Sequence, residues 1–383
     1  MQFNKYLKAL IYSSSFQKTC KFQKYILSLH ANNSIYIMIL TEFSYRESSG
    51  WQLEKLTLHH QNLIVGMNSV GKSRTLEALG NVIRFIKNDS ELAKKDFSCV
   101  LRLSNSHQIE YAFELSDGLI KSESLLIDGQ SKIVRNASTA EMYGESVNPP
   151  ANKLLIQARR DTMRYPEIEE IILWAEHTSL YVFSNITASL KSLSPYMLST
   201  EPLIPEMYEQ IKNQQNVLIE YIKELGYQID KIEVVENASG GKWLLIYETG
   251  IEKPMEFYEL SNGMFRVFSV LLYMIYSSTL KGARCLMIDD MGEGLDYQRS
   301  TKLGKIVFNY CKAKSTQLIV TSNDSFLLDT VDLDLWNILQ RTGSVVTSLN
   351  RQTHQELFAK FARTGLSNYD ILSSNFITNH LQK

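Results

Sequence analysis

"NLIVGMNSVGKSRTLEALGNVIRFIK", Asn62–Lys87, changes character twice. An apolar, strand-like run opens it, and a glycine-punctuated turn follows. Leu76, Leu79, Val82, Ile83 and Ile86 then recur at the spacing of one helix face. The turn itself, "GMNSVGKS" at Gly66–Ser73, has the P-loop pattern of Gly, four residues, Gly-Lys-Ser. Glycines in such a turn let successive backbone N–H groups converge on a phosphate. Lys72 adds a cation for the β- and γ-phosphates, and the Ser73 hydroxyl is a Mg²⁺ ligand. The helix that begins there points its positive end at the anion. The candidate nucleotide-binding residues are therefore Gly66, Met67, Asn68, Ser69, Val70, Gly71, Lys72, Ser73 and Arg74.

A second stretch answers the first. "CLMIDDMGEGLDY", Cys285–Tyr297, passes from a buried-strand pattern into Asp289, Asp290, Glu293 and Asp296. Acids so crowded repel one another unless a cation shares the site. A strand of apolar residues ending in Asp289 suits Mg²⁺ held through water beside a P-loop. The structural alternative is an acidic turn or helix N-cap, positions that Asp favours.

Composition limits the remaining possibilities. Apolar residues make up 44% of the 383-residue chain and charged ones 21%, the profile of a globular protein. A formal net charge of −1 argues against a surface that is basic throughout, leaving room only for a local basic patch. Cys20, Cys99, Cys285 and Cys311 are scattered and form no CxxC pair, so neither a disulfide framework nor a zinc site is expected, and a cytoplasmic location fits. No apolar run is long enough to span a bilayer. Residues 1–37 carry Lys5, Lys8, Lys18, Lys21 and Lys24 with no acid before Glu42. They read as a basic leader, disordered or outside the native chain, which would then start at Met38.

Along the rest, strands alternate with helices, which predicts an α/β fold with a mostly parallel central sheet, flanking helices and an antiparallel β portion. We expect one domain over 38–383: an N-terminal lobe at 38–160, a helical and β insertion at 161–258, a C-terminal lobe at 259–345 and a helical tail at 346–383. Strands are expected at 97–135 and at "KLLIQARRD", and helices at 166–177, 204–225, 262–279 and 298–313.

Together "IVGMNSVGKS", "YELSNGMFR", "CLMIDDMGEGLDY" and "LIVTSNDSFLLD" resemble the motif series of ABC-type ATPases, in particular the compact SMC/RecF-like and OLD-like P-loop NTPases loosely grouped as AAA-family ATP-binding proteins. The resemblance spans about 38–345. It implies an ATP- and Mg²⁺-dependent ATPase that forms a homodimer with ATP sandwiched between its subunits. Under it, "LSNG" is the signature, whose Ser261 and Gly263 would contact the partner's γ-phosphate; the alternative is an ordinary helix N-cap. Arg266 would face the same phosphates or the solvent. Gln157 resembles the Q-loop residue that touches Mg²⁺ and the attacking water. Asp289 would be the Walker B aspartate, and "EGLDYQ", with Gly294 and Asp296, the D-loop.

Two positions depart from the family. Asp290 stands where Glu usually polarises the attacking water, and Asn323 stands where a switch His is common. Asn hydrogen-bonds a phosphate but takes up no proton at physiological pH. Catalysis is thus assigned to Asp290, Glu293, Asn323 and Gln157, with slow turnover expected, and metal binding to Ser73, Asp289 and Gln157. The implied role is a switch on a partner effector, a nuclease or toxin in phage defence or DNA repair. The alternatives are a non-hydrolysing ATP-binding scaffold or sensor and a DNA-binding repair ATPase using Arg159, Arg160 and Arg164.

Overall fold

A computed structural model describes residues 37–88, 95–183, 203–238, 240–374 and 376–381. The expected basic leader lies outside the described residues, apart from Ile37. Met38–Lys383 form one compact unit.

The chain opens with β1 (Ile39–Glu47), β2 (Gln52–Thr57) and β3 (Gln61–Val65), then α1 (Lys72–Ile86). A meander follows: β4 (Phe97–Ser104), β5 (Gln108–Ser116), β6 (Leu119–Ile127), β7 (Gln130–Arg135), β8 (Ala140–Met142) and β9 (Glu145–Ser146). Next come α2 (Leu155–Ala158), α3 (Pro166–Glu176), β10 (Thr178–Val182), α4 (Ile204–Gln210) and α5 (Gln215–Glu224). β11 (Ile229–Glu236), β12 (Lys242–Glu248) and β13 (Met255–Glu256) make a small separate sheet. The C-terminal half contributes α6 (Asn262–Thr279), β14 (Cys285–Asp289), α7 (Tyr297–Ala313), β15 (Gln317–Thr321), α8 (Ser325–Thr330), β16 (Trp336–Thr342) and β17 (Val345–Leu349). It ends in α9 (Gln355–Ala362), α10 (Asp370–Ser373) and α11 (Phe376–Leu381).

One sheet runs in the order β10-β14-β15-β3-β16-β17-β2-β1-β4-β5-β6-β7-β8-β9. Its first four junctions, β10 to β16, are parallel. These strands are buried on both faces, which is why they read as continuous apolar runs. In β14, Leu286 and Ile288 face one core with α6 and α7, while Cys285 and Met287 face the other with α1 and α3. From β2 onward the pairing is antiparallel, through the meander to β9. β17 joins the two regimes, antiparallel to β16 and parallel to β2.

The sheet is therefore mixed, which corrects the expected mostly parallel one. The antiparallel portion continues the parallel one edge to edge. Three further details differ. "TSLYV", inside the expected insertion, is β10, the strand beside β14. The expected tail at 346–383 begins within β17. "KLLIQ" forms the single helical turn of α2 because the buried Glu123 carboxylate accepts the Leu155 amide at 2.7 and 2.9 Å and that of Ile156 at 3.4 Å. The helix expected at 204–225 is split into α4 and α5, whereas α6 at Asn262–Thr279 and α7 at Tyr297–Ala313 follow the helical periodicity.

Candidate nucleotide-binding site

The end of β3 feeds a loop that only glycine permits at its start. Gly66 has φ +152°, and a Cβ there would lie 2.8 Å from the Leu339 carbonyl oxygen and 2.9 Å from the Val70 side chain. The loop closes over Lys72, which is buried at 5% exposure. Its ammonium donates to the carbonyls of Gly66 at 2.8 Å and Met67 at 3.2 Å. Burial lowers the Lys72 pKa, and the nearby carboxylates of Asp290 and Asp289 oppose that shift. Met67, Asn68, Ser69 and Ser73 are exposed around this cradle.

Asp289 ends β14 at 6% exposure. Burial raises its pKa, and the like charge of Asp290 adds to the rise; hydrogen bonds from Thr321 and Ser73 and the charge of Lys72 oppose it. The fold thus brings Lys72, Ser73, Asp289 and Asp290 together, as the spacing implied. Oxygen donors from Ser73 and Asp289 fit Mg²⁺, which takes few protein ligands and completes its shell with water and substrate phosphates. No group of three His, Cys, Asp or Glu residues converges as a metal cage among the described residues.

The turn after β14 is clamped from β15. Thr321 Oγ1 donates to Asp289 Oδ1 at 2.5 Å and accepts the Asp290 amide at 2.8 Å. Asp290 sits at φ +54°, a left-handed conformation that Asp tolerates better than most residues. Next along the chain, Asn323 Nδ2 donates to Asn68 Oδ1 at 3.1 Å, tying the switch position to the P-loop.

No family model matches this sequence, and no curated protein does. Solved structures do. An SMC head bound to the C-terminal winged-helix domain of ScpA superposes with a TM-score of 0.50 at 14% identity, covering 83% of this chain and 99% of that one. The chain shares the fold of an SMC head. An SMC head with an extended coiled coil bound to the C-terminal domain of ScpA, from Pyrococcus furiosus, gives 0.49 at 13%, covering 85% of this chain and 100% of that one. The SMC head of Thermotoga maritima gives 0.42 at 12%, over 81% of this chain and 98% of that one.

Within this SMC-head fold the remaining candidates divide. Ser261 caps α6, its hydroxyl accepting the Met264 amide at 3.3 Å, and the N-terminus of that long helix is exposed. A Cβ on Gly263 would meet only ordinary contacts, the Tyr227 hydroxyl at 3.4 Å and Leu295 at 3.6 Å, so packing within the chain does not require glycine. Arg266 donates to the Glu293 carbonyl at 2.7 Å, holding the loop in which Glu293 and Gly294 are exposed. Asp296 caps α7 through the Arg299 amide at 3.0 Å.

Two assignments are not met by the geometry, and the side chain of a third residue, Arg74, has partners elsewhere. Gln157 donates to the carbonyls of Phe85 at 2.6 Å and Ile86 at 3.1 Å, and its own carbonyl accepts the Leu154 amide. Its side chain therefore closes the far end of α1, about 20 Å along the helix from Ser73. The assignment of Gln157 to metal and attacking water is corrected accordingly. Arg74, placed with the nucleotide, pairs with Glu47 at 2.5 Å and lies 4.7 Å over the Trp51 ring. In the basic cluster, Arg160 is held by Glu169 at 2.5 Å and Glu176 at 3.1 Å, and Arg164 pairs with Glu145. Acids thus offset two of the three arginines expected to attract a polyanion. Sequence reading also missed Thr321, whose only signal was a hydroxyl residue ending a buried strand two positions before Asn323.

Proposed function

We propose that this chain binds ATP with Mg²⁺ at the P-loop, dimerises head-to-tail around it and hydrolyses it slowly. One observation carries the reading: Lys72, Ser73, Asp289 and Asp290 converge from one strand end and a helix start into one partly exposed site. Lys72 would hold the β- and γ-phosphates, Ser73 and Asp289 the metal, and Asp290 would orient the attacking water. The exposed start of α6, with Ser261 and Gly263, would meet the nucleotide of a second copy. Closing and opening of that dimer would then switch a partner effector, in the class of a nuclease or toxin. The ScpA domain bound to a similar SMC head supports a protein partner for heads of this shape.

Steady-state ATP hydrolysis by the wild type, Lys72→Ala and Asp290→Asn tests this. Losing the base role costs roughly 10²–10⁴ in rate, so Asp290→Asn should fall by at least two orders of magnitude while still binding ATP. Wild-type turnover no higher than that of Lys72→Ala, with nucleotide still bound, would leave the ATP-binding scaffold as the correct reading. The ion-paired Arg160 and Arg164 give the DNA-binding alternative little support.

A further inference from the structure

We propose that Thr321 is a positioning residue that sets both carboxylates of the site, Asp289 toward the metal and Asp290 toward the attacking water. This rests on the nucleotide reading above and goes beyond the roles read from its motifs, none of which was given to Thr321.

The argument is one of donors and acceptors. Thr321 is fully buried, and its hydroxyl has a single hydrogen. The Asp290 amide can only donate, and it reaches Thr321 Oγ1 at 2.8 Å. An ionised Asp289 can only accept, and its Oδ1 lies 2.5 Å from the same atom. The hydroxyl direction is therefore fixed without reference to any observed hydrogen: amide to hydroxyl to carboxylate. The backbone reinforces it, since the Met291 amide donates to the Thr321 carbonyl at 2.9 Å. Ser322 adds a bond from its hydroxyl to the Met291 carbonyl at 2.7 Å.

These bonds hold Asp290 in its left-handed conformation, and that conformation aims its side chain. With Asp289 Oδ1 engaged, the metal-facing geometry of the carboxylate is set before a cation arrives. Groups that orient metal ligands in this way are worth about 10–100-fold in affinity or activity.

The test is Mg²⁺-dependent binding of a non-hydrolysable ATP analogue, with melting temperature measured in parallel. Thr321→Val keeps the shape and removes the hydroxyl, leaving the Asp290 amide and Asp289 Oδ1 without it. The Mg²⁺ concentration at half-maximal binding should rise about 10–100-fold. Thr321→Ser, which restores the hydroxyl, should return to within about threefold of wild type. Thr321→Ala, which adds no bulk, carries the same test should the valine variant not fold. A purely structural threonine would lower the melting temperature and leave the Mg²⁺ midpoint in place; that result overturns the assignment to Thr321 alone. Absence of Mg²⁺-dependent binding by the wild type overturns the nucleotide reading along with it.

Discussion

At the start of α2, Glu123 is 1% exposed and receives the Leu155 and Ile156 amides and the Tyr111 hydroxyl at 2.9 Å, with Arg135 at 3.7 Å. Beside the start of α1, Asp289 is nearly as buried but has two hydroxyl donors, with the Lys72 charge nearby and a like charge, Asp290, next to it. Burial raises the pKa of both. Around Glu123 the chain supplies amides, a phenol and a cation, and the carboxylate staples the meander to α2. Around Asp289 the chain supplies less and adds a repelling neighbour, so a cation from solution would find a favourable place. A buried acid that its own fold leaves short of donors is a candidate for function; one that is fully met is architecture.

The contrast breaks most sharply under neutralisation. Asp289→Asn removes a charge whose burial is costly, and Asn keeps a carbonyl for the Thr321 hydroxyl. The variant should melt higher in the absence of nucleotide, by about 1 kcal/mol of added stability, while its Mg²⁺-dependent turnover falls by on the order of 10²-fold. Thermal melts without nucleotide measure the first, and steady-state ATP hydrolysis with Mg²⁺ measures the second. A less stable Asp289→Asn protein would show that this acid is structural, like Glu123.

How far the site could be read in advance follows the same division. Gly66–Ser73 and Cys285–Asp289 were legible because their constraints are local: a turn that only glycine permits, and strands buried on both faces. Helices α6 and α7 were legible from periodicity. The turn at Leu155–Ala158 was not, since "KLLIQ" suits strand and helix alike and the decision comes from Glu123, distant in sequence. Gln157 resembled a residue that touches Mg²⁺ and the attacking water until the end of α1 and the Leu154 amide claimed the two ends of its side-chain amide. Sheet parity was hidden as well, because the β16–β17 hairpin that sets it carries no signal of where β2 will lie.

A smaller effect separates two glycines, Gly66 at the start of the loop before α1 and Gly263 in the first turn of α6. Gly66 is required by its own chain, as a Cβ would clash with the Leu339 carbonyl. Gly263 has room, and alanine in the first turn of α6 gains up to about 1 kcal/mol of helix propensity. Gly263→Ala should therefore fold as well as wild type and bind ATP as a monomer, yet lose about 10-fold in ATP-driven self-association, because an interface glycine can be packed closely by a partner. Sedimentation with and without ATP reads this directly. Unchanged association would confine "LSNG" to helix capping.

The smallest effect is a slope. Glu123 holds its proton more tightly in the folded chain than its ordinary value of 4.5, chiefly because it is buried. The stability that this provides is complete below that value and is lost as pH rises through the raised one. Glu123→Gln keeps a neutral side chain at every pH. It strands the Arg135 charge at low and high pH alike, so its overall penalty cancels when the two proteins are compared across pH. The wild type's advantage over Glu123→Gln should accordingly shrink as pH climbs from 4.5 toward neutrality, by roughly 1.4 kcal/mol for each unit by which the pKa is raised. Urea unfolding of both proteins across that range measures it. A wild-type advantage that grows with pH would mean that the amides and Arg135 outweigh burial at Glu123, and the likeness between the two acids, on which their contrast depends, would fail.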